Sequence, residues 1–248
     1  MAHFLGIIPA RYASSRFPGK PLALLGKKPM IQWVFERASA VLDQLVVATD
    51  DLRIKEAVES FGGNVLMTSA EHSTGTERCA EALELYRKGH SGSITHVVNI
   101  QGDEPLLEPV HLEALKSCML DRATQIATLI QPLAQSDDLA NPNLVKVVVD
   151  KSFRALYFSR SPIPFNREPS SGEPSGTITY FTHIGLYAFR SDVLSQLVRL
   201  PVSSLERAES LEQLRWLENG YSIQTRVTDQ PSRGVDTPED LEKISRLI

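Results

Sequence analysis

The sequence predicts an α/β fold, a three-layer sandwich around a mixed, mainly parallel central sheet, and two observations carry that prediction. Strand-like apolar runs alternate with helix-period segments through the first half of the 248-residue chain. That order places strands parallel to one another with right-handed crossovers. From about residue 125 the runs "ATLIQPL", "LVKVVVD" and "RALYFS" succeed one another with little helix between them. This predicts a β-rich subregion over about residues 125–200 within a single domain spanning 1–248.

Each element has its own signal. His3 to Pro9 is an unbroken apolar strand, and residues 29–42 place apolar side chains at 30, 31, 34, 35, 38, 41 and 42, the helical period. "QLVVAT" is a second strand. "DDLRIKEAVESFGG" opens on capping Asp residues, keeps a helical period and stops at Gly62 and Gly63. "NVLM" is a third strand, 75–88 a helix, "THVVNI" at 95–100 a strand and 109–120 a helix. Beyond the β-rich region, "HIGLYAF" is a strand, and residues 204–219 and 237–247 are helices with the strand "YSIQTRV" between them. Leu205, Ala208, Leu211, Leu214 and Leu217 form the apolar stripe of the first of these helices. Residues 164–179, "PFNREPSSGEPSGTIT", hold almost no core formers and predict a mobile surface loop.

Composition narrows the classes of function. A formal charge of -4 and a pI near 5.9 leave no global basic excess of the kind nucleic acid selects. Cys79 and Cys118 lack a CxxC spacing, so neither a disulfide framework nor a zinc site is indicated, and two reduced thiols in a cytoplasm are expected. No signal-peptide pattern is present, and no apolar stretch approaches the roughly 18 residues that span a bilayer. The expectation is a soluble protein without membrane insertion.

Open sheets of this kind bind ligands beyond the carboxyl ends of their strands. The first such loop, in "GIIPARYASSRFPGKPL", brings Arg11, Arg16 and Lys20 within ten residues, with Gly19 and serines that let a backbone approach closely. It suits a polyphosphate, although it lacks the GxxxxGK[ST] pattern and an ordinary solvated basic loop would read the same. Asp103, in "VVNIQGDEPLL", follows a strand end where a carboxylate can hold Mg²⁺ against a phosphate, and equally suits a polar turn. Asp236, in "GVDTPEDLEKI", is a second candidate, although Asp236 or Thr237 also suits the N-cap of the last helix. "HSTGTERCAEAL" can line a base or ribose, or simply start a helix with Thr74 or Thr76 as cap. "THIGLYAF" puts His183, Gly185 and Tyr187 on one strand face and Ile184, Leu186 and Ala188 on the other.

Taken together, "IIPARYASSRFPGKPL", "VATDD", "TGTERCAE", "NIQGDEPLL", "NPNLVKVVVD", "LYFSRSPIP", "HIGLY", "LEQLR" and "GVDTPEDLE" closely resemble the 3-deoxy-manno-octulosonate (Kdo) cytidylyltransferases, the CMP-Kdo synthetases of Gram-negative bacteria, from about residue 4 to residue 244. The resemblance implies a nucleotide-diphospho-sugar transferase fold that joins CTP and Kdo into CMP-Kdo for lipopolysaccharide, releases pyrophosphate, and works as a homodimer. Carried onto matching positions, it implies that Arg11, Arg16 and Lys20 hold the triphosphate and that Thr74, Gly75 and Arg78 line the cytidine site. Asp103 and Asp236 would bind magnesium, with Arg11, Lys20, Asp103 and Asp236 forming the catalytic set. Gln101, Arg160, His183, Tyr187, Glu212 and Gln213 would surround the sugar acid. Thr182 stands where some relatives carry Arg, and residues 166–179 have no clear counterpart. The rivals are a cytidylyltransferase for 8-amino-Kdo or another sugar acid, a sugar-1-phosphate nucleotidylyltransferase, and a non-catalytic nucleotide-binding protein.

Overall fold

Strands that are apolar on both faces need cover on both sides, and the helices supply it. The computed structural model describes residues 2–13, 17–133, 136–167 and 178–248. Its first half runs β1 (Phe4–Ala10), a 3-10 turn at Lys20–Leu22, the hairpin β2 (Leu24–Leu25) and β3 (Lys28–Pro29), α1 (Met30–Ser39), β4 (Leu45–Thr49), α2 (Leu52–Ser60), β5 (Val65–Met67), α3 (Gly75–Gly89), β6 (His96–Asn99) and α4 (Pro109–Met119). The second half runs β7 (Ile126–Pro132), β8 (Lys146–Val149), β9 (Ala155–Ser159), β10 (Phe181–Arg190), α5 (Ser191–Leu197), α6 (Ser204–Glu209), α7 (Gln213–Glu218), β11 (Ile223–Val227) and α8 (Pro238–Ser245).

The main sheet has the order β11-β7-β10-β6-β1-β4-β5, with β8 and β9 branching from β10. Strands β6, β1, β4 and β5 are mutually parallel, and β10 runs antiparallel to both its neighbours β6 and β7. Alternate residues serve separate cores. Leu5 and Ile7 of β1 face α3, α5 and α7, whereas Ile8 and Ala10 face α1, α2 and α4. Burying each such leucine or isoleucine contributes about 1.5–3 kcal/mol. A smaller cluster of Leu25, Met30, Val235 and Ile244 anchors α8. In β10 the alternation holds, with Ile184, Leu186 and Ala188 in one core and Tyr187 and Phe189 in the other. A bulge between Ile184 and Tyr187 interrupts the pairing with β7.

One expectation is overturned. Residues 204–219 form two short helices, broken where Ser210 adopts a left-handed conformation at φ 52. The break turns the two halves relative to each other, so Leu205 and Ala208 are exposed while Leu211 and Leu214 are buried. The cause is electrostatic as well as apolar. Arg215 of α7 forms a bidentate pair with Glu206 of α6, both bonds at 2.6 Å, and Nη1 donates to the Leu200 carbonyl. A continuous helix would not let these two buried groups meet with this geometry while Ser203 caps α6 through Glu206. The helix α5 and the hairpin β2–β3 carry no periodic signal long enough to read from sequence. Of the loop at 164–179, residues 168–177 lie outside the described residues.

Removing one partner of a buried pair strands the other's charge. Glu206→Ala should lower stability by about 3–5 kcal/mol, read as a fall in the urea midpoint with an unchanged slope.

Candidate active site

β1 delivers the chain to the carboxyl edge of the sheet, and the loop that follows is closed by its own backbone. Gly19 donates its amide to the Tyr12 carbonyl at 2.9 Å and sits at φ 73. A Cβ there would meet the Tyr12 ring at 3.0 Å, so both conformation and space favour glycine. Gly19 precedes the 3-10 turn that points Lys20 across the edge.

There the Lys20 ammonium donates to Asp103 Oδ2 at 2.6 Å and to the Val235 carbonyl at 2.8 Å, and lies 3.5 Å from Asp236 Oδ1. The loop after β6 and the segment before α8 are further tied by the Val235 amide, which donates to the Asp103 carbonyl at 2.8 Å. Gly102 lets the loop after β6 lie close against the end of β1, because a Cβ on it would come within 3.1 Å of the Pro9 carbonyl. Both candidate carboxylates therefore share one point on the same edge. The capping alternative falls to Thr237, whose hydroxyl accepts from the Asp240 amide, leaving Asp236 outside the helix.

These residues line an open cleft of about 280 Å³. Arg11, Lys20, Asp103 and Asp236 line it together with His72, Ser73, Thr74, Gly75, Arg78 and Gln101. Arg16 lies outside the described residues. Thr74 does two things at once: its hydroxyl caps α3 by accepting from the Glu77 amide, and it donates to Glu212 at 3.1 Å. Arg78 is buried and braces the loop after β5, donating to Thr68 at 2.6 Å, the Ser69 carbonyl and Asp50 at 3.0 Å.

The residues matched to the sugar acid fall into two groups. Gln101 lines the cleft and donates to the Gly185 carbonyl at 2.9 Å. Glu212 reaches the cleft wall through Thr74 and Thr76, and Gln213 follows it, buried, at the start of α7. Burial pushes the Glu212 carboxyl up, against the two threonine hydroxyls that pull it down. Tyr187 is buried with an unpartnered hydroxyl, raised well above its usual range by burial and by the nearby charge of Glu212. His183 lies 5.2 Å from the Tyr187 ring and is held neutral by burial, which lowers it to about 3. The Thr128 hydroxyl faces its Nε2 at 2.9 Å. Arg160 is not brought to the cleft: its guanidinium donates to the Glu209, Pro142 and Ser210 carbonyls.

Two features of the site carry no clear signal in the sequence. His72 Nε2 meets Glu81 Oε2 at 2.5 Å, a contact across the start of α3 that no local spacing announces. Glu104 is buried and accepts from Ser232 at 2.7 Å, clasping the segment that carries Asp236. Burial pushes Glu104 up to about 7, opposed by the Ser232 hydrogen bond and assisted by the Asp103 charge.

Among the described residues no cluster of three or more His, Cys, Asp or Glu is arranged to hold a metal by itself. Two carboxylates converging on one cation position do fit Mg²⁺, which commonly takes one or two carboxylates and completes its shell with substrate oxygens and water.

Cations, paired carboxylates and close backbone beyond the carboxyl edge of a doubly wound sheet are the equipment of a nucleotidyltransferase. Residues 5–225 match the family model described as Cytidylyltransferase. The 3-deoxy-manno-octulosonate cytidylyltransferase of Phocaeicola vulgatus is 55% identical over 99% of this chain and 97% of its own. That of Parabacteroides distasonis is 53% identical over 98% and 97%. The solved structure of a CMP:2-keto-3-deoxy-manno-octonic acid synthetase complexed with CTP superposes with a TM-score of 0.90 at 42% identity, covering 99% of this chain and 98% of that one. The chain belongs to the cytidylyltransferase family, among the 3-deoxy-manno-octulosonate cytidylyltransferases.

Glu104 makes stability depend on pH. The folded chain keeps this proton up to about pH 7, while the unfolded chain releases it near the ordinary carboxyl value of 4.5, so stability falls as pH rises through that window. Glu104→Gln removes this dependence. Urea midpoints measured across the window should show the variant gaining on the wild type as pH increases.

Proposed function

We infer that this chain activates Kdo with CTP, giving CMP-Kdo and pyrophosphate, a product used in lipopolysaccharide assembly. The observation that carries the reading is the convergence of Asp103 and Asp236 on Lys20 at the mouth of the cleft, in a chain of this family.

The anomeric hydroxyl oxygen of Kdo attacks the α-phosphorus of CTP in line. The bond from that phosphorus to the bridging oxygen breaks, pyrophosphate departs on the far side and the hydroxyl proton passes to solvent. Negative charge grows on the leaving phosphates, so cations placed there lower the barrier more than they stabilise the ground state. Arg11 and Lys20 line the cleft where they can do this, and Arg16 joins them in this reading. Lys20 would exchange its carboxylate partners for phosphate oxygens as the nucleotide enters. Asp103 and Asp236 would hold Mg²⁺, which supplies Lewis-acid polarisation of a phosphate oxygen when bound. Thr74, Gly75 and Arg78 form the nucleoside end. Gln101 lines the cleft as a sugar-binding residue, and Glu212, Gln213, Tyr187, His183 and Arg160 join it in this reading.

We also read the protein as a cytoplasmic homodimer. Two free cysteines and the need for CTP support the compartment. Exposed Phe153, Leu156, Phe165 and Val202 in the second half support a subunit contact there. Among the described residues no helix is long and apolar enough to cross a membrane.

Pyrophosphate release by the purified protein with Mg²⁺ tests the reading, with CTP compared to UTP, ATP and GTP and Kdo compared to its 8-amino analogue. Release that needs both CTP and Kdo is expected. Release with the analogue alone would change the sugar, and silence with every pair would overturn the reading. Asp103→Asn should cut turnover by about a hundredfold or more while leaving the melting temperature near wild type. Near-normal turnover in that variant would remove Asp103 from the mechanism.

A further inference from the structure

The loop after β1 holds an aromatic side chain to which nothing so far assigns a task. Arg11 and Lys20 both line the cleft, and they stand immediately outside the neck of that loop, the Tyr12–Gly19 pair. The neck is joined by the Gly19 amide, which donates to the Tyr12 carbonyl at 2.9 Å. Whatever holds Tyr12 against Gly19 therefore also fixes how the two cations are spaced. Among the described residues that line the cleft, neither Tyr12 nor Arg53 appears.

The Tyr12 ring has three kinds of neighbour. It packs against the core that β1 shares with α1, α2 and α4. Its hydroxyl end lies against Gly19, where a Cβ would meet ring Cζ at 3.0 Å and the hydroxyl oxygen at 3.1 Å. Over the ring lies the Arg53 guanidinium, with its Cζ 3.3 Å from the ring centroid. This guanidinium is itself fixed in place. Arg53 Nε and Nη2 donate to the two oxygens of Asp51 at 2.9 and 2.6 Å, and Asp51 caps α2 by accepting from the Arg53 amide. The Asp51 amide donates in turn to the Thr49 hydroxyl at the end of β4. A planar guanidinium held by a bidentate carboxylate is a rigid plate, and a plate over an aromatic ring restrains the ring as a point charge would not.

We propose that Tyr12, stacked beneath Arg53, is a positioning residue that holds Arg11 and Lys20 at the spacing a triphosphate requires. A loop ordered before its ligand arrives avoids the entropy cost of ordering those side chains on binding. Tyr12 touches no substrate and acts through the backbone of its neighbours. Arg53 acts one step further out, through the ring. The proposal rests on the reading of this loop as the triphosphate site.

The experiment compares wild type with Tyr12→Phe, Tyr12→Leu, Arg53→Ala and the double variant of Tyr12→Leu with Arg53→Ala. It reads KM for CTP and for Kdo by pyrophosphate release with Mg²⁺, the dissociation constant of inorganic tripolyphosphate by calorimetry, and melting temperature. Tyr12→Leu should weaken CTP and tripolyphosphate together by about fivefold or more, with KM for Kdo unchanged. Arg53→Ala should show the same pattern at about two- to fivefold. Tyr12→Phe keeps the ring and should recover most of the affinity. In the double variant the Arg53 change should add nothing, because the ring it stacks on is gone.

A folded Tyr12→Leu protein that binds tripolyphosphate as tightly as wild type overturns the assignment. Equal losses for CTP and Kdo overturn it as general damage, and a full Arg53 effect in the double variant overturns it by placing Arg53 on the substrate. Each of these leaves the Kdo reaction standing. A wild type that releases no pyrophosphate overturns the Kdo reading, and the tripolyphosphate affinities then decide this proposal on their own. A wild type that binds no tripolyphosphate overturns it outright. Should Tyr12→Leu fail to fold, Arg53→Ala decides by the same split between CTP and Kdo.

Discussion

The site depends on one ammonium group. Lys20 ties three segments that are remote in sequence, at residues 20, 103 and 235–236, through Asp103, the Val235 carbonyl and Asp236. The ammonium is mostly shielded, with the Lys20 side chain only 14% exposed. Two carboxylates brought this close would repel one another without a cation between them. Held this way, the two carboxylates share one cation position, which is the arrangement that the proposed magnesium site requires.

A second network supports the opposite wall. Glu206 and Arg215 lock α6 to α7 and fix where α7 begins, and Glu212 stands at that start. Glu212 in turn receives the hydroxyls of Thr74 and Thr76, so the cap of α3 and the start of α7 are joined through one half-buried carboxyl. Arg78, from the first turns of α3, reaches back to the loop after β5. Thr74, Thr76, Arg78 and Glu212 each link two backbone elements across this wall, so moving one would unpair another.

Most of the fold was legible in the chain. Alternating apolar runs and helical periods located the parallel half, and strand succession without helix located the branch of β8 and β9. The misread helix at 204–219 shows where this stops. Its apolar spacing is compatible with one continuous helix, and the break at Ser210 goes with the burial of Leu211 and Leu214 and with a buried ion pair, both of which depend on packing. The candidate loops were legible because apolar strand ends followed by Gly, Asp and basic residues carry a recognisable chemistry.

By itself the sequence determined which residue types stand at the strand ends, the α/β class, and, through its motifs, the family. The tertiary structure decided which of those loops share an edge: that Asp103 and Asp236 meet on Lys20, that Thr237 and not Asp236 caps the last helix, that Arg160 is spent on carbonyls, and that Glu81 meets His72. Local patterns are set by the few residues on either side, through propensity and capping. Contacts between residues 83, 138 or 215 positions apart exist only once strand order and helix packing have fixed where each loop lies.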